Sequence, residues 1–146
     1  MPREVRLFVR TALACLLLSV VLGAGMVAAR HLLGWTVPRA LVVVHTHLVL
    51  VGGVILMILG VALWMFPLDR KRHPETRGRY NSALVRTVYG CVTGGLALRA
   101  VVEPFQGDRS GGTLGLLLVA AAFLQVIGLV LFIVAIGPRV RSVTTP

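Results

Sequence analysis

Acidic residues are scarce: the 146-residue chain has five Asp and Glu against fifteen Lys and Arg, and charged residues make up only 14% of it. A compact soluble fold, an extended nucleic-acid binder and a disordered tail each need far more polar surface per residue, so all three are excluded. Catalysis by paired carboxylates or a Ser-His-Asp triad is improbable, because the few acids lie almost entirely in loops. Cysteine is nearly absent too. Cys15 and Cys91 both fall inside apolar runs, which argues against a disulfide framework and for small packing residues. There is no C-x-x-C-H and no thiolate cluster, which excludes covalent c-type haem and iron-sulfur centres.

What the chain has instead is hydrocarbon. Hydrophobic residues make up 57% and the mean hydropathy is +0.90, the composition of a membrane protein. Four runs are long enough to cross about 30 Å of bilayer core as helices: Thr11 to Ala29, Ala40 to Phe66, Ala83 to Val102 and Thr113 to Ile136. The expected fold is all-α, a single transmembrane domain over residues 1–146 built as an integral membrane four-helix bundle. The net charge of +10 is then a matter of position. Arg3, Arg6 and Arg10 precede the first run; Arg70, Lys71, Arg72, Arg77 and Arg79 fill the link between the second and third; Arg139 and Arg141 follow the fourth. The opposite links carry Arg30, Arg39 and Arg109, with Asp108 and Glu103 nearby. The positive-inside rule predicts both termini in the cytoplasm, in a plasma or inner membrane. Pro38, Pro67, Pro104 and Pro138 stand where helices should start or stop, and Trp35 and Tyr80 where an aromatic ring can keep one edge wet. The first run also imitates a cleavable signal peptide ending at Val27-Ala28-Ala29, but its removal would leave three helices with a mismatched orientation.

Polar residues inside the runs need partners. The second run holds His45 and His47, the third Arg86 and Arg99 with Glu103 at its end, and the fourth Gln125. His31 and His73 lie in links and read as solvated. Two residues apart on a helix separates directions by about 200°, so His45 and His47 cannot easily chelate one ion and need separate partners. One reading is haem iron ligated from either side of the helix; the other is hydrogen bonding to neighbouring helices. Gly52 falls nearly beneath His45 on an α-helix, with Leu56 and Leu63, and would leave room for a flat macrocycle. Gly53 and Gly60 form a packing stripe, as do Gly90 and Gly94. Arg99, about five residues before its helix end, falls at the depth of His45, where it would meet a haem propionate or pair with Glu103 at i, i+4. Arg86 reads as snorkelling toward the basic end.

The run Val43-Val44-His45-Thr46-His47-Leu48-Val49-Leu50-Val51-Gly52-Gly53, continuing to Gly60 and Trp64-Met65-Phe66-Pro67, resembles a small four-helix membrane family related to subunit I of haem-copper oxidases and nitric oxide reductases. The third run, Tyr89 to Pro104 with its G-L-A-L-R-A-V-V-E-P ending, is similar as well, and together the two cover about half the chain. The resemblance implies that His45 and His47 take the positions of an H-x-H that serves two haems on opposite sides of one helix. The large subunits have twelve helices in three arcs of four, whereas this chain has one arc and lacks the further histidines of a dinuclear oxygen-reducing site. Three copies would restore the arcs, which implies a homotrimer with haem bridged by His45 of one chain and His47 of the next.

The expected function is therefore that of a haem b-binding membrane protein in electron transfer or in binding a diatomic gas such as nitric oxide or oxygen. If it is an enzyme, it is a haem-dependent oxidoreductase; a respiratory complex or a quinone is the expected partner besides lipid, with no nucleic acid. The alternative is a non-catalytic accessory or assembly subunit of a respiratory membrane complex. A small transporter or channel is weaker, since there is no internal repeat and only Gln125 is polar at mid-membrane.

Overall fold

The computed structural model describes residues 1–66, 80–106 and 111–140. The expectations for Pro67, the basic link at Arg70, Lys71, Arg72, His73, Arg77 and Arg79, and Asp108, Arg109 and Arg141 lie outside them. Among the described residues the chain is all helical, and its four long helices are apolar and long enough to cross a membrane: α1 (Arg3–Leu32), α2 (Arg39–Met65), α3 (Ser82–Gln106) and α4 (Gly112–Ile136).

Local chemistry sets the ends. α1 stops over Gly34, whose φ of +66° lets the Trp35 N–H return to the Ala29 carbonyl at 3.0 Å. α2 begins behind Pro38 and ends at Phe66, which is extended (ψ 148°), as expected of a residue held before a proline. Asn81 starts α3 by accepting the Leu84 N–H on its side-chain oxygen at 3.1 Å. The expected stop at Pro104 is not observed. α3 runs through it to Gln106, whose amide donates to the Gly111 carbonyl across the turn into α4. So near the C-terminal end a proline breaks only one bond of a ladder about to finish.

The helices form a row, not a closed ring. α2 packs on α1 along one flank and on α3 along the other, α4 lies along α3, and among the described residues no comparable packing joins α4 to α1 or α2. Burial follows that order: 39% and 33% of the apolar windows of α2 and α3 are buried, against 11% and 17% in α1 and α4. The outer helices present Leu17, Leu18, Val20, Phe123, Val126 and Ile133 outward, as apolar sides meant for lipid do.

Packing is uneven along the row. The larger core sits at the end that carries the chain's N-terminus, where Val5, Phe8 and Ala12 of α1 meet Leu56, Leu59 and Leu63 of α2, with Tyr80, Val85, Val88, Phe132 and Ile136. Three ties lock that end. Glu4 accepts from Tyr80 Oη at 3.2 Å and from Arg86 at 3.1 Å, and an Arg139 guanidinium nitrogen donates to the Phe66 carbonyl at the end of α2. Two expectations are corrected here: Tyr80 is fully buried instead of keeping an edge wet, and Arg86 pairs with Glu4 instead of only snorkelling. A buried carboxylate needs a partner more than an arginine near water needs freedom. One turn further in, the Thr11 and Tyr89 hydroxyls are 2.7 Å apart and Phe8 meets Tyr89 edge to face.

Candidate functional site

The other half of the row is sparsely packed, with a core reduced to Val44, Leu48 and Leu96, flanked by Cys15, Leu22, Val51 and Ala100. In that small cluster Val44 and Leu48, which flank the histidines in sequence, pack with Leu96 and Ala100, which flank Arg99.

Residues Arg39–His47 are regular α-helix, so the two imidazoles diverge. His45 turns to α1. Its Nδ1 lies 3.0 Å from the Ser19 carbonyl and 3.2 Å from the Ser19 hydroxyl, and its ring fills the notch left by Gly23, where a Cβ would come within 2.9 Å of Cε1. A carbonyl can only accept, so Nδ1 carries a proton, and in the neutral ring Nε2 is then the nitrogen with the lone pair. His47 reaches the same state within its own helix, with Nδ1 2.9 Å from the Val43 carbonyl, so that Nε2 is again the basic nitrogen.

Beyond His47 the backbone widens. Leu48–Ile55 is π-helical, and the Leu56 N–H points to the Val51 carbonyl five residues back as well as to Gly53. Such segments are rare and concentrate at functional sites. Gly52 does not open a space beneath His45: it is wedged between α1 and α3, where a Cβ would stand 2.8 Å from Cys15 Cβ and 2.9 Å from Leu96 Cδ2. Gly53 and Gly60 do form a packing stripe, against Leu16 and Phe8 of α1. Gly90 and Gly94, expected to pack, face open space; Gly95 and Gly128 make the close α3–α4 contacts instead, against Ala121 and Val92.

Arg99 and Glu103 form an i, i+4 ion pair at 3.2 Å, with side chains 22% and 15% exposed. The paired atoms, Arg99 Nε and Glu103 Oε2, are shut off from solvent without the alignment of a hydrogen bond, so the guanidinium is not saturated by this contact. The Gln125 amide nitrogen is likewise buried without a partner, with its stem against Gly95. Cys15 and Cys91 are free thiols in packing positions, and His31 is exposed. No group of three or more His, Cys, Asp or Glu comes together among the described residues.

Sequence reasoning missed the partners of His45. A signal was available: Ser19 is the only serine of the first apolar run, and Gly23 follows it at i+4, a polar group and a gap on one helix face. No family model, curated protein or solved structure matches the chain.

Proposed function

We propose that this chain is a haem b-binding integral membrane protein that transfers electrons or binds a diatomic gas, with His45 and His47 as the iron ligands. The observation that supports this most is the state of the two imidazoles: each gives its Nδ1 proton to a backbone carbonyl, Ser19 or Val43, and keeps Nε2 uncommitted inside an apolar helix. Metal-ligating histidines use that arrangement, which fixes the tautomer and raises the basicity of the ligating nitrogen. Two imidazole nitrogens are a donor set that haem iron accepts. The clearance is not at Gly52, where Cys15 and Leu96 fill the notch, so Gly52 serves helix approach in this reading and the histidines carry it.

Haem b, when bound, supplies a one-electron iron couple or a coordination position for a gas. The chain's own residues do the rest. His45 and His47 bind and orient from opposite sides of α2, the apolar spans exclude water, and Arg99 brings positive charge to the same depth, suited to a propionate carboxylate. Divergent ligands on a one-arc row are best used between copies, hence a homotrimer. The basic end faces the cytoplasm in this proposal, with N- and C-termini inside, in a plasma or inner membrane. A second reading, an accessory subunit of a respiratory complex, draws on the tie from His45 to Ser19 over Gly23, which is a complete interhelical contact without any cofactor.

An absorption spectrum of the purified protein, oxidised, dithionite-reduced and then exposed to carbon monoxide or nitric oxide, separates the two. A Soret band that sharpens on reduction is expected, and a further shift with gas identifies an open iron position; a colourless protein supports the accessory reading. His45→Ala and His47→Ala should each lose haem, and full retention in both rejects the ligand assignment. Arg99→Leu should shift the reduction potential, whereas an unchanged potential and haem content leaves Arg99 with Glu103 alone. A monomeric or dimeric mass in detergent rejects the trimer.

A further inference from the structure

At the sparsely packed end of the row, between α1 and the start of α2, lies a groove of about 400 Å³, within the range of about 300–1,000 Å³ common for small-ligand clefts. Leu22, Gly25, Met26 and Ala29 form its α1 wall, Leu41 its α2 wall, and Trp35 lines it from the link. Thr36 is the only polar residue in the lining. Gly25 keeps the floor open, since a Cβ built there meets nothing within 4 Å. Two cations adjoin the lining in sequence: Arg30 follows the lining residue Ala29, and Arg39 follows Pro38, which also lines it. Both are exposed, and neither has an ion-pair partner among the described residues.

An apolar slot on a membrane helix selects a hydrocarbon chain, and two exposed guanidinium groups on residues next to its lining select an anion with oxygens to share. We propose that this groove holds an acyl chain of an anionic phospholipid whose headgroup phosphate rests on Arg30 and Arg39. An uncharged ring or a zwitterionic lipid would use the slot without needing both arginines, and a free anion would use the arginines without the slot. The site is independent of any haem at His45 and His47.

Trp35 is a built-in reporter. With Trp64→Phe, Trp35 is the only tryptophan left of the chain's two. The protein is placed in phosphatidylcholine vesicles containing increasing mole fractions of brominated-chain phosphatidylglycerol or, separately, brominated-chain phosphatidylcholine, and Trp35 quenching is read. The anionic lipid should quench at several-fold lower mole fraction. Arg30→Gln with Arg39→Gln should remove that preference, while Arg30→Lys with Arg39→Lys retains it and so separates charge from damage to the fold. Gly25→Phe, which fills the groove, should lower quenching by the anionic lipid to the level of the zwitterionic one, with unchanged far-UV circular dichroism. Equal quenching by the two lipids overturns the proposal, as does a preference that survives either the double glutamine variant or Gly25→Phe.

Discussion

A single methyl group separates the glycines of α2 and α3 into two kinds. At Gly52 it would press on Cys15 Cβ at 2.8 Å and on Leu96 at 2.9 Å, both in the interior of the row. Overpacking of this sort costs about 1–3 kcal/mol, so Gly52→Ala should lower the unfolding midpoint in detergent. Gly90→Ala, with nothing within 4 Å, should leave it unchanged or raise it slightly, because alanine is the better helix former. The same comparison grades the surroundings of His45. Ser19→Ala removes a hydroxyl but not the carbonyl acceptor, so its cost should be near the membrane hydrogen-bond average of about 0.6 kcal/mol. Gly23→Ala, whose Cβ would stand 2.9 Å from Cε1, must move the ring itself and should cost more. The order of the two variants in a denaturation series checks this. The sequence showed His45 and His47 as the costly residues and showed that they diverge; it did not show which was tied to a neighbour, because that depends on what α1 presents at the same depth.

At the scale of an element, the π-helical stretch Leu48–Ile55 is the feature a 3.6-residue count cannot anticipate. Counting placed Gly52 under His45 with room beside it; in the structure Cys15 of α1 and Leu96 of α3 fill that room. A π segment holds more residues per turn than its α-helical flanks, so one residue can leave it while the flanks keep their faces. Deleting Leu50 should therefore preserve helical circular dichroism and a cooperative unfolding transition. Deleting Ile58, in the regular α-helix beyond, should rotate Leu59 and Leu63 out of the core by about 100° and abolish that transition. Both deleted side chains are exposed, so the contrast isolates register from lost packing. Equal damage from the two deletions would show that the π segment absorbs nothing.

For the molecule as a whole, cohesion is concentrated at one end. Glu4, Tyr80 and Arg86 join the start of α1 to the start of α3, and Arg139 joins the end of α4 to the end of α2. Since lipid is as apolar as leucine, burial alone does little to hold helices together, and such polar ties and close packing matter more. Glu4→Gln should destabilise by about 1–2 kcal/mol, as expected when hydrogen bonds to a charged group are weakened. The Glu4–Arg86 coupling in a double-mutant cycle should be only about 0.2–1 kcal/mol, because the arginine side chain is 66% exposed. A coupling well above that range would mean that the pair is shielded from water. Toward the opposite end the contact from His45 to Ser19 ties α2 to α1, and the histidines and the groove of about 400 Å³ lie there, with the π segment spanning the boundary between the two cores.

By itself the sequence determined the number of helices, their apolar character and their approximate ends, because a 20-residue hydrocarbon run and a flanking Pro, Gly or Asn act locally. It also determined which side chains are too costly to be idle in such runs. Only the tertiary structure decided that the helices stand in a row, that Gly95 and not Gly90 or Gly94 faces α4, that Arg86 belongs to Glu4, and that His45 leans on Ser19. The physical reason is the same for each. Hydropathy in a helix that is apolar all round carries no direction, so the face that meets a neighbour is fixed by shape and by the few polar partners on the other helix.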